Sequence, residues 1–523
     1  MLTKQPQLKK PQKTISEDTA KDVKKFAKGA SFSFIGSVVG RIIWFIAQVI
    51  TARFLGIELF GLFILGLLIV KISSQLSRVG LNNGALRFVA MYRNEDVKKT
   101  KGVLISSFSI SFFNGIFLGA IAYFTSDFIA ASLFHKPHLS EIIKTFALCI
   151  PFLTTLYVVA FASRGFQTTR YSVYITEIIQ PAANLLFIAA AILLGYGLLG
   201  IICAYIVSHA IALLAGYYFI TKQFKDLLLK TIKPVYETKK LLTYSAPLLL
   251  TEFLMFLLSW VDTLMLGFMK TSADVGAYRA ASQIPIFLLL IARASNSIYA
   301  PSVAELYYRG KKERLESLLK TSTRWIFFFT FPLTIILIFS SKEIMSIFGK
   351  EYTDAGSFVL IVLALAQFIN CVTGGVGSNL SICGKQKLEM VNNIAMFVMN
   401  GILNYFLILS YGAVGAAIAT GISIATINVI RLIQVYIIFK IHPYNVTYVA
   451  GIISGTIAIF LLYYYGHYLP YKSYATSLTA KSLGVALIFS ISFIITGLKE
   501  EDKVLLSSIT NKFKLKSSLI KTQ

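Results

Sequence analysis

Apolar residues run along this chain in blocks of about 20, separated by short, lysine-rich polar segments. A helix needs about 20 such residues to cross the hydrocarbon core of a bilayer. The blocks predict fourteen spans, at roughly 30–54, 58–80, 102–124, 142–163, 171–194, 197–221, 241–268, 275–301, 324–345, 355–380, 388–410, 412–439, 446–466 and 478–497. The expected class is an all-α polytopic membrane protein.

Several spans carry a polar stripe on an apolar helix. On the first, Ser33, Ser37, Arg41, Gln48 and Thr51 keep helical spacing, and on the second so do Lys71, Gln75 and Arg78. Glu177 and Gln180 lie on the fifth span and His209 on the sixth. The seventh carries Glu252, Ser259 and Asp262, the eighth Arg279, Gln283, Arg293 and Ser297, and the twelfth Asn428, Arg431 and Gln434. A cation at the bilayer centre costs roughly 2.5–3.5 kcal/mol on insertion scales. Such groups must therefore face a wet cavity or one another.

Composition agrees with this picture. Hydrophobic residues make up 56% of the chain and charged residues 14%, with a mean hydropathy of +0.70; soluble domains are about a quarter charged. The net charge of +26 does not point to nucleic acid, because of where the cations sit. With the N-terminus inside, the cytoplasmic connections hold Lys98, Lys99, Lys101, Arg164, Arg170, Lys222 to Lys240, Arg309 to Arg314, Lys385 and Lys387, and the tail begins at Lys499. Outer loops hold little beyond Lys136, Lys270, Lys342, Lys350 and Lys472. That asymmetry orients a multi-pass protein with both termini cytoplasmic. The segment before the first span reads as a cytoplasmic tail, not a signal peptide. Cys149, Cys203, Cys371 and Cys383 form no CxxC pair and read as small apolar fillers. No phosphate-binding GxxxxGK[ST], HExxH or paired Cys/His spacing occurs, so neither an enzyme nor a metal or other cofactor is expected.

The chain repeats itself weakly. Gly56 pairs with Gly267, Gly61 with Gly276, and "YGLLG" at Tyr196 with "YGAVG" at Tyr411. The first offset is 211 and the other two are 215. Six spans per repeat make the halves parallel, an arrangement found in carriers whose two bundles rock against each other. The expected organisation is a basic tail (1–29), a six-helix lobe (30–222), an inter-lobe loop (223–240), a second lobe (241–440), two further helices (441–498) and a second basic tail (499–523).

In the first two spans of each half, Arg41, Lys71, Arg78, Arg279 and Arg293 outnumber Glu252 and Asp262. A low-dielectric cavity so lined favours an anionic group such as phosphate, which a guanidinium grips with two donors. Plainer readings stand beside this one. Arg41 could pair with Glu252 or Asp262, and Lys71, Arg78 and Arg279 could snorkel to an interface. His209 reads as a core residue, Arg431 as a cytoplasmic anchor, and Leu461–Pro470 as an interfacial aromatic belt.

The stretch Arg41 to Phe63, the pattern at Asp262, Leu266, Gly267, Val275, Gly276, Tyr278 and Ala281, and the two YGxxG openings resemble the polysaccharide flippases. These are the Wzx-type O-antigen and repeat-unit exporters of the MOP (MATE-like) superfamily. The resemblance covers most of the chain. It implies two six-helix lobes around a central cavity, with alternating access moving a polyprenyl-pyrophosphate-linked oligosaccharide across the cytoplasmic membrane, coupled to H⁺ or Na⁺. It further implies membrane lipids and glycan-assembly enzymes as neighbours. On this reading Arg41, Arg293, Arg279, Lys71 and Arg78 receive the anionic headgroup, and Asp262, Glu252 and Glu177 are ion-coupling candidates. Ser37, Gln48 and Gln283 complete the polar lining. The rivals are an organic-cation antiporter of the same superfamily, which a cationic cavity disfavours, and a non-transporting membrane scaffold.

Overall fold

A computed structural model of the chain describes residues 17–446, 448–465 and 473–496. Residues 1–16 of the N-terminal tail, residues 466–470 of the aromatic patch, Lys472 and the basic segment 499–523 lie outside the described residues. Among the described residues the fold is helical, with no strand. In chain order the principal helices are α1 (Glu17–Ser77), α2 (Leu81–Tyr92), α3 (Val97–Phe124), α4 (Leu139–Ala147), α5 (Ile150–Gly165), α6 (Arg170–Leu193), α7 (Gly197–Gln223) and α8 (Thr238–Met269). They continue as α9 (Ser272–Ser282), α10 (Ile286–Tyr308), α11 (Lys312–Phe339), α12 (Lys350–Val372), α13 (Val376–Ile382), α14 (Gln386–Phe439), α15 (Tyr448–Tyr465) and α16 (Tyr474–Thr496).

Among the described residues, ten helices are long and apolar enough to cross a membrane, or eleven when the α4–α5 pair, bent by 48°, is taken as one span. That is fewer than the fourteen apolar blocks because two pairs of blocks run together and α15 is too short to be counted. The apolar part of α1 has 46 residues and α14 has 54. At about 1.5 Å per residue, each is at least twice as long as the roughly 30 Å hydrocarbon core. Each is also broken by one glycine, Gly56 (φ 77°) in α1 and Gly412 (φ 55°) in α14, in the left-handed region that side chains avoid.

The chain forms two compact units. One comprises residues 1–47, 70–124 and 145–253; the other comprises 48–69, 125–144 and 254–523. In the first, Leu81, Phe88, Val89, Val103, Leu104, Val158, Val159 and Ile220 form a buried cluster. In the second, Tyr299, Val303, Leu315, Leu319, Val376, Leu380 and Val435 form another. Large apolar side chains also cover the outside, with Phe117 64% and Leu193 86% exposed. Water would not tolerate so much of this surface, whereas lipid does.

Glycines fix the closest approaches in the second unit. A Cβ on Gly61 would lie 1.7 Å from the Ser272 carbonyl oxygen, and one on Gly276 would lie 2.2 Å from the Ile57 carbonyl oxygen. The two glycines paired by the sequence repeat therefore face each other in one reciprocal helix contact. α15 and α16 dock on α11 in the same unit. A Cβ on Gly451 would sit 2.6 Å from the Phe327 ring and one on Gly455 2.1 Å from the Phe331 ring, while Lys481 pairs with Glu343.

In the first unit, the loop before α8 is tied to α2 and α3. Glu237 accepts from the Tyr92 hydroxyl and lies 3.3 Å from Lys99 Nζ and 3.6 Å from Lys240 Nζ. Lys240 Nζ donates to the Tyr92 oxygen at 2.9 Å.

Two predictions follow from this packing. Gly61→Ala should destabilise the protein by about 1–3 kcal/mol, since backbone must move to admit the methyl; Gly401→Ala, with nothing within 4 Å of its Cβ, should not. Melting temperatures in detergent compare them. The Tyr92 hydrogen bond, then the nearby lysines, hold the Glu237 carboxyl below its ordinary 4.5. A depressed acid stabilises above its unfolded pKa, and that stability is lost as pH falls through the folded value. Glu237→Gln should therefore lower the melting temperature at pH 7, and the gap to the unsubstituted protein should close progressively below about pH 4.5.

Candidate functional site

Arg41 is placed by glycines. Gly36 and Gly40 lie on the same face of α1, and both press on α6. A Cβ on Gly36 would lie 2.2 Å from Val173 Cγ1, and one on Gly40 would lie 2.2 Å from the Glu177 carbonyl oxygen. This small-xxx-small spacing lets helices meet backbone to backbone in lipid. At that point α6 is not regular: Tyr174–Ile179 form a π-helical turn ahead of Pro181. Proline removes one backbone donor and crowds the preceding turn, and π-turns often mark functional positions. Glu177 sits within this turn and interacts electrostatically with both Arg41 and Arg164. Arg164 Nε also donates to Ser172 Oγ at 2.8 Å. Arg41 is half-buried, as is Ser37 one turn earlier.

Glu252 is held differently. Its carboxylate accepts from Gln75 Nε2 at 3.0 Å, from Asn82 Nδ2 at 2.9 Å and from Asn83 Nδ2. Arg78 stacks over the Tyr157 ring at 3.9 Å and donates to Gln75 Oε1 at 3.1 Å and Ser74 Oγ at 3.2 Å. Arg78 is thus knitted into the bundle rather than snorkelling to an interface. In this unit the charge facing Arg41 is Glu177, not Glu252. Lys71 is half-buried on the same face as Gln75 and near enough to His209 to interact with it electrostatically. His209 is a packed core residue: its Nδ1 lies 2.8 Å from the Tyr205 carbonyl oxygen, and its ring lies 4.2 Å from the Tyr205 ring.

In the second unit Asp262 lies in a cage of neutral donors. Tyr278 donates to it at 2.5 Å, Asn404 Nδ2 at 2.6 Å and Thr420 Oγ1 at 2.8 Å. Asn404 Nδ2 also donates to Asn400 Oδ1 at 3.0 Å. The Oδ1 of Asn404 is buried and meets no donor among the described residues. Arg279 stacks on Trp260 at 3.8 Å, close enough to Asp262 for electrostatic interaction. Gln283 donates to the Arg279 carbonyl at 3.1 Å. Gln283 Oε1 and Gln48 Oε1 are both buried without a donor among the described residues. Arg293 is exposed on α10; the side chain of Ser297 lies outside the described residues. Arg431, expected as an anchor, makes a two-point pair with Glu389.

The structure thus brings Arg41 within electrostatic range of Glu177, Arg78 of Glu252, and Arg279 of Asp262. Sequence reading missed Asn82, Asn83, Asn400, Asn404, Thr420 and Arg164 as their partners. One signal was available: Asn400 and Asn404 are four apart in an apolar run and must share a helix face.

Helices of bilayer-spanning length with charges matched across them define a multi-pass membrane protein built like a transporter. A family model described as "Polysaccharide biosynthesis protein" matches residues 26–307, more than half of the chain, and the protein belongs to that family. A second model, MatE, matches residues 247–406. The chain is 33% identical over 174 residues to the "Probable low-salt glycan biosynthesis flippase Agl15" of Haloferax volcanii, a match covering 33% of this chain and only 37% of that protein. It is 23% identical over 383 residues to the "Putative O-antigen transporter" of Shigella flexneri, covering 71% of this chain and 88% of that one. Among solved structures, the lipid II flippase MurJ in an inward closed conformation superposes with a TM-score of 0.67 at 16% identity, over 88% of this chain and 98% of that one. This last similarity establishes a shared fold.

Removing the Glu252 carboxylate tests the first-unit network. Glu252→Ala orphans three amide donors, each at about 1–3 kcal/mol when buried. It should lower the melting temperature in detergent well beyond Arg293→Ala, whose side chain is exposed.

Proposed function

We propose that this protein is a flippase that moves a polyprenyl-pyrophosphate-linked oligosaccharide, a polysaccharide repeat unit, across the cytoplasmic membrane by alternating access. It acts as a carrier and not as an enzyme. The observation that carries the reading is electrical. Glu177 faces two guanidiniums, Arg41 inside the first apolar span and Arg164 at the cytoplasmic end of the fourth, so among the described residues the cluster keeps one positive charge in surplus. An uncompensated cation is costly at that depth, and an arriving pyrophosphate relieves it while gaining two-point hydrogen bonds. Family membership and the glycan-related names of the relatives point the same way. The surplus disfavours an organic cation as cargo.

In this reading the chain crosses fourteen times: α1 and α14 twice each, α4–α5 as one bent span, and α15 as a short one. Both termini lie in the cytoplasm, and the two six-helix lobes span 30–222 and 241–440. Arg41 and Arg293 receive the pyrophosphate, with Lys71, Arg78 and Arg279 supporting the positive potential. Asp262 seats the coupling ion. Its oxygens, with those of Thr420 and Asn404, suit either a proton or a hard monovalent cation, and the charge gained there is felt by Arg279, which lies within electrostatic range. Enzymes that assemble the glycan on its lipid carrier supply the substrate.

Reconstitution in proteoliposomes tests this. Transfer of a short-glycan polyprenyl pyrophosphate between leaflets, read by access to a soluble glycan-cleaving enzyme, should fall about tenfold or more in Arg41→Ala and Arg293→Ala, the loss of one charge-assisted contact. Transfer at the unsubstituted rate by both variants would remove their assigned role. Asp262→Asn should abolish acceleration by an imposed proton or sodium gradient while leaving lipid binding intact.

A further inference from the structure

A cavity of about 400 Å³ opens inside the second unit, lined by Asn296 of α10, Asn370 of α12, Gly377, Ser378 and Ser381 of α13, and Glu389, Asn428 and Arg431 of α14. Its volume lies in the range of small-molecule sites, about 300–1,000 Å³. Nothing in the proposed pyrophosphate or ion chemistry uses it.

The lining says what it can hold. Arg431 and Glu389 neutralise each other: Nε donates to Oε2 at 3.1 Å and Nη2 to Oε1, and Nη2 also reaches Asn393 Oδ1 at 2.9 Å. Both side chains are almost fully buried, at 12% and 13% exposure. A free cation would meet the guanidinium, and a free anion would meet the carboxylate. The remaining groups are carboxamides and hydroxyls. Asn428 Nδ2 donates to Asn370 Oδ1 at 3.2 Å, so these two brace each other. Asn296 Oδ1 is buried and meets no donor among the described residues, an arrangement that costs energy unless a ligand supplies one. Gly377 keeps the floor open: a Cβ there would lie 3.2 Å from Glu389 Oε1 and 3.5 Å from Arg431 Nε.

Uncharged, polar on several sides and short of one donor, this pocket matches a group rich in hydroxyls, each of which both donates and accepts. We propose that it is a subsite for an uncharged sugar of the translocated glycan. Asn296 Oδ1 accepts a sugar hydroxyl, and Ser378 and Ser381 donate to its oxygens. The assignment rests on the flippase reading and deepens it. Asn296 is three residues beyond Arg293 on α10, about 4.5 Å along the helix and close to the same face. A sugar in the pocket therefore lies beside a pyrophosphate held at Arg293, with the glycan running toward the predicted cytoplasmic end of α10.

Binding to full-length protein in nanodiscs separates the two ideas. The probes are undecaprenyl pyrophosphate and its forms carrying one glucosyl, galactosyl or N-acetylglucosaminyl residue. At least one glycosylated probe should bind about tenfold tighter than the bare lipid, the equivalent of about one net hydrogen bond. Asn296→Ala, and Ser381→Phe, which fills the cavity from an exposed position, should each bring that ratio to about one. Binding of the bare lipid and the melting temperature should not change. Equal binding of all four probes by the unsubstituted protein overturns the subsite, as does a ratio that survives both variants. Loss of bare-lipid binding in the pocket variants also overturns it, by making the cavity a phosphate seat. Indifference of bare-lipid binding to Arg41→Ala and Arg293→Ala would instead count against the pyrophosphate assignment, a separate result.

Discussion

A charge inside an apolar span must be met by protein, because lipid offers it nothing. That one constraint organises both units. Glu252 draws Gln75, Asn82 and Asn83 around it, and Asp262 draws Tyr278, Asn404 and Thr420. Glu389 takes Arg431, and Glu343 takes Lys481. Glu252, Asp262 and Glu343 thereby pin helices that are far apart in sequence, and Glu389 pins the two halves of α14; Asp262 alone gathers α8, α9 and the two halves of α14. Apolar packing between helices in lipid has no solvent-driven preference for one register. Fixing the register falls to these polar contacts and to the glycines that permit close approach.

The glycine seam shows how the repeat was put to use. Gly61 and Gly276 stand 215 residues apart and meet reciprocally, each against the carbonyl one turn before the other. The helix ends beside them are capped with opposite chemistry. After the break at Gly56 a new helical run begins, and Glu351 accepts from its first amide, Ile57 N–H, at 2.9 Å. Where α8 ends, Lys136 Nζ donates to the Gly267 and Lys270 carbonyls at 2.7 and 2.8 Å. A carboxylate on exposed amides and an ammonium on exposed carbonyls each complement the helix dipole. The two helix ends at this seam are thus met by side chains of opposite charge.

Much of this was legible in the sequence, and what was not has a physical reason. Block length predicted spanning helices, because the bilayer sets one length scale. The stripe from Ser33 to Thr51 predicted a polar face, because helical spacing is local. The glycines of the repeat were visible, but their role as breaks was not: Gly56 and Gly412 sit within apolar runs that read as ordinary span boundaries. Partner choice was least visible. Arg41 could have met any acid at its depth, and only the pressing of Gly40 on the Glu177 carbonyl decides that α6 supplies it. Asn82, Asn83, Asn404 and Thr420 look unremarkable in sequence because their value lies in an acid more than a hundred residues away.

The distribution of these charges also bears on how transport could be driven. The surplus cation at Arg41 and Arg164 lies in one compact unit, and the caged acid Asp262 lies in the other. On the proposed function, pyrophosphate is received by Arg41 and Arg293 and the coupling ion by Asp262, so cargo and ion are held by different residues. They influence each other only if each prefers the same one of two conformations, for a ligand shifts an equilibrium by its differential affinity and by nothing else. Asp262, on the proposed function, takes that role: Tyr278, Asn404 and Thr420 hold it, and Arg279 lies within electrostatic range, so a cation arriving there acts on the donors and the guanidinium together. The Arg41 cluster, on the proposed function, takes the opposite one, its surplus charge met by the cargo. On the proposed function, the coupling lies in how firmly the Asp262 cage holds α8, α9 and α14 together with its ion, and how firmly without.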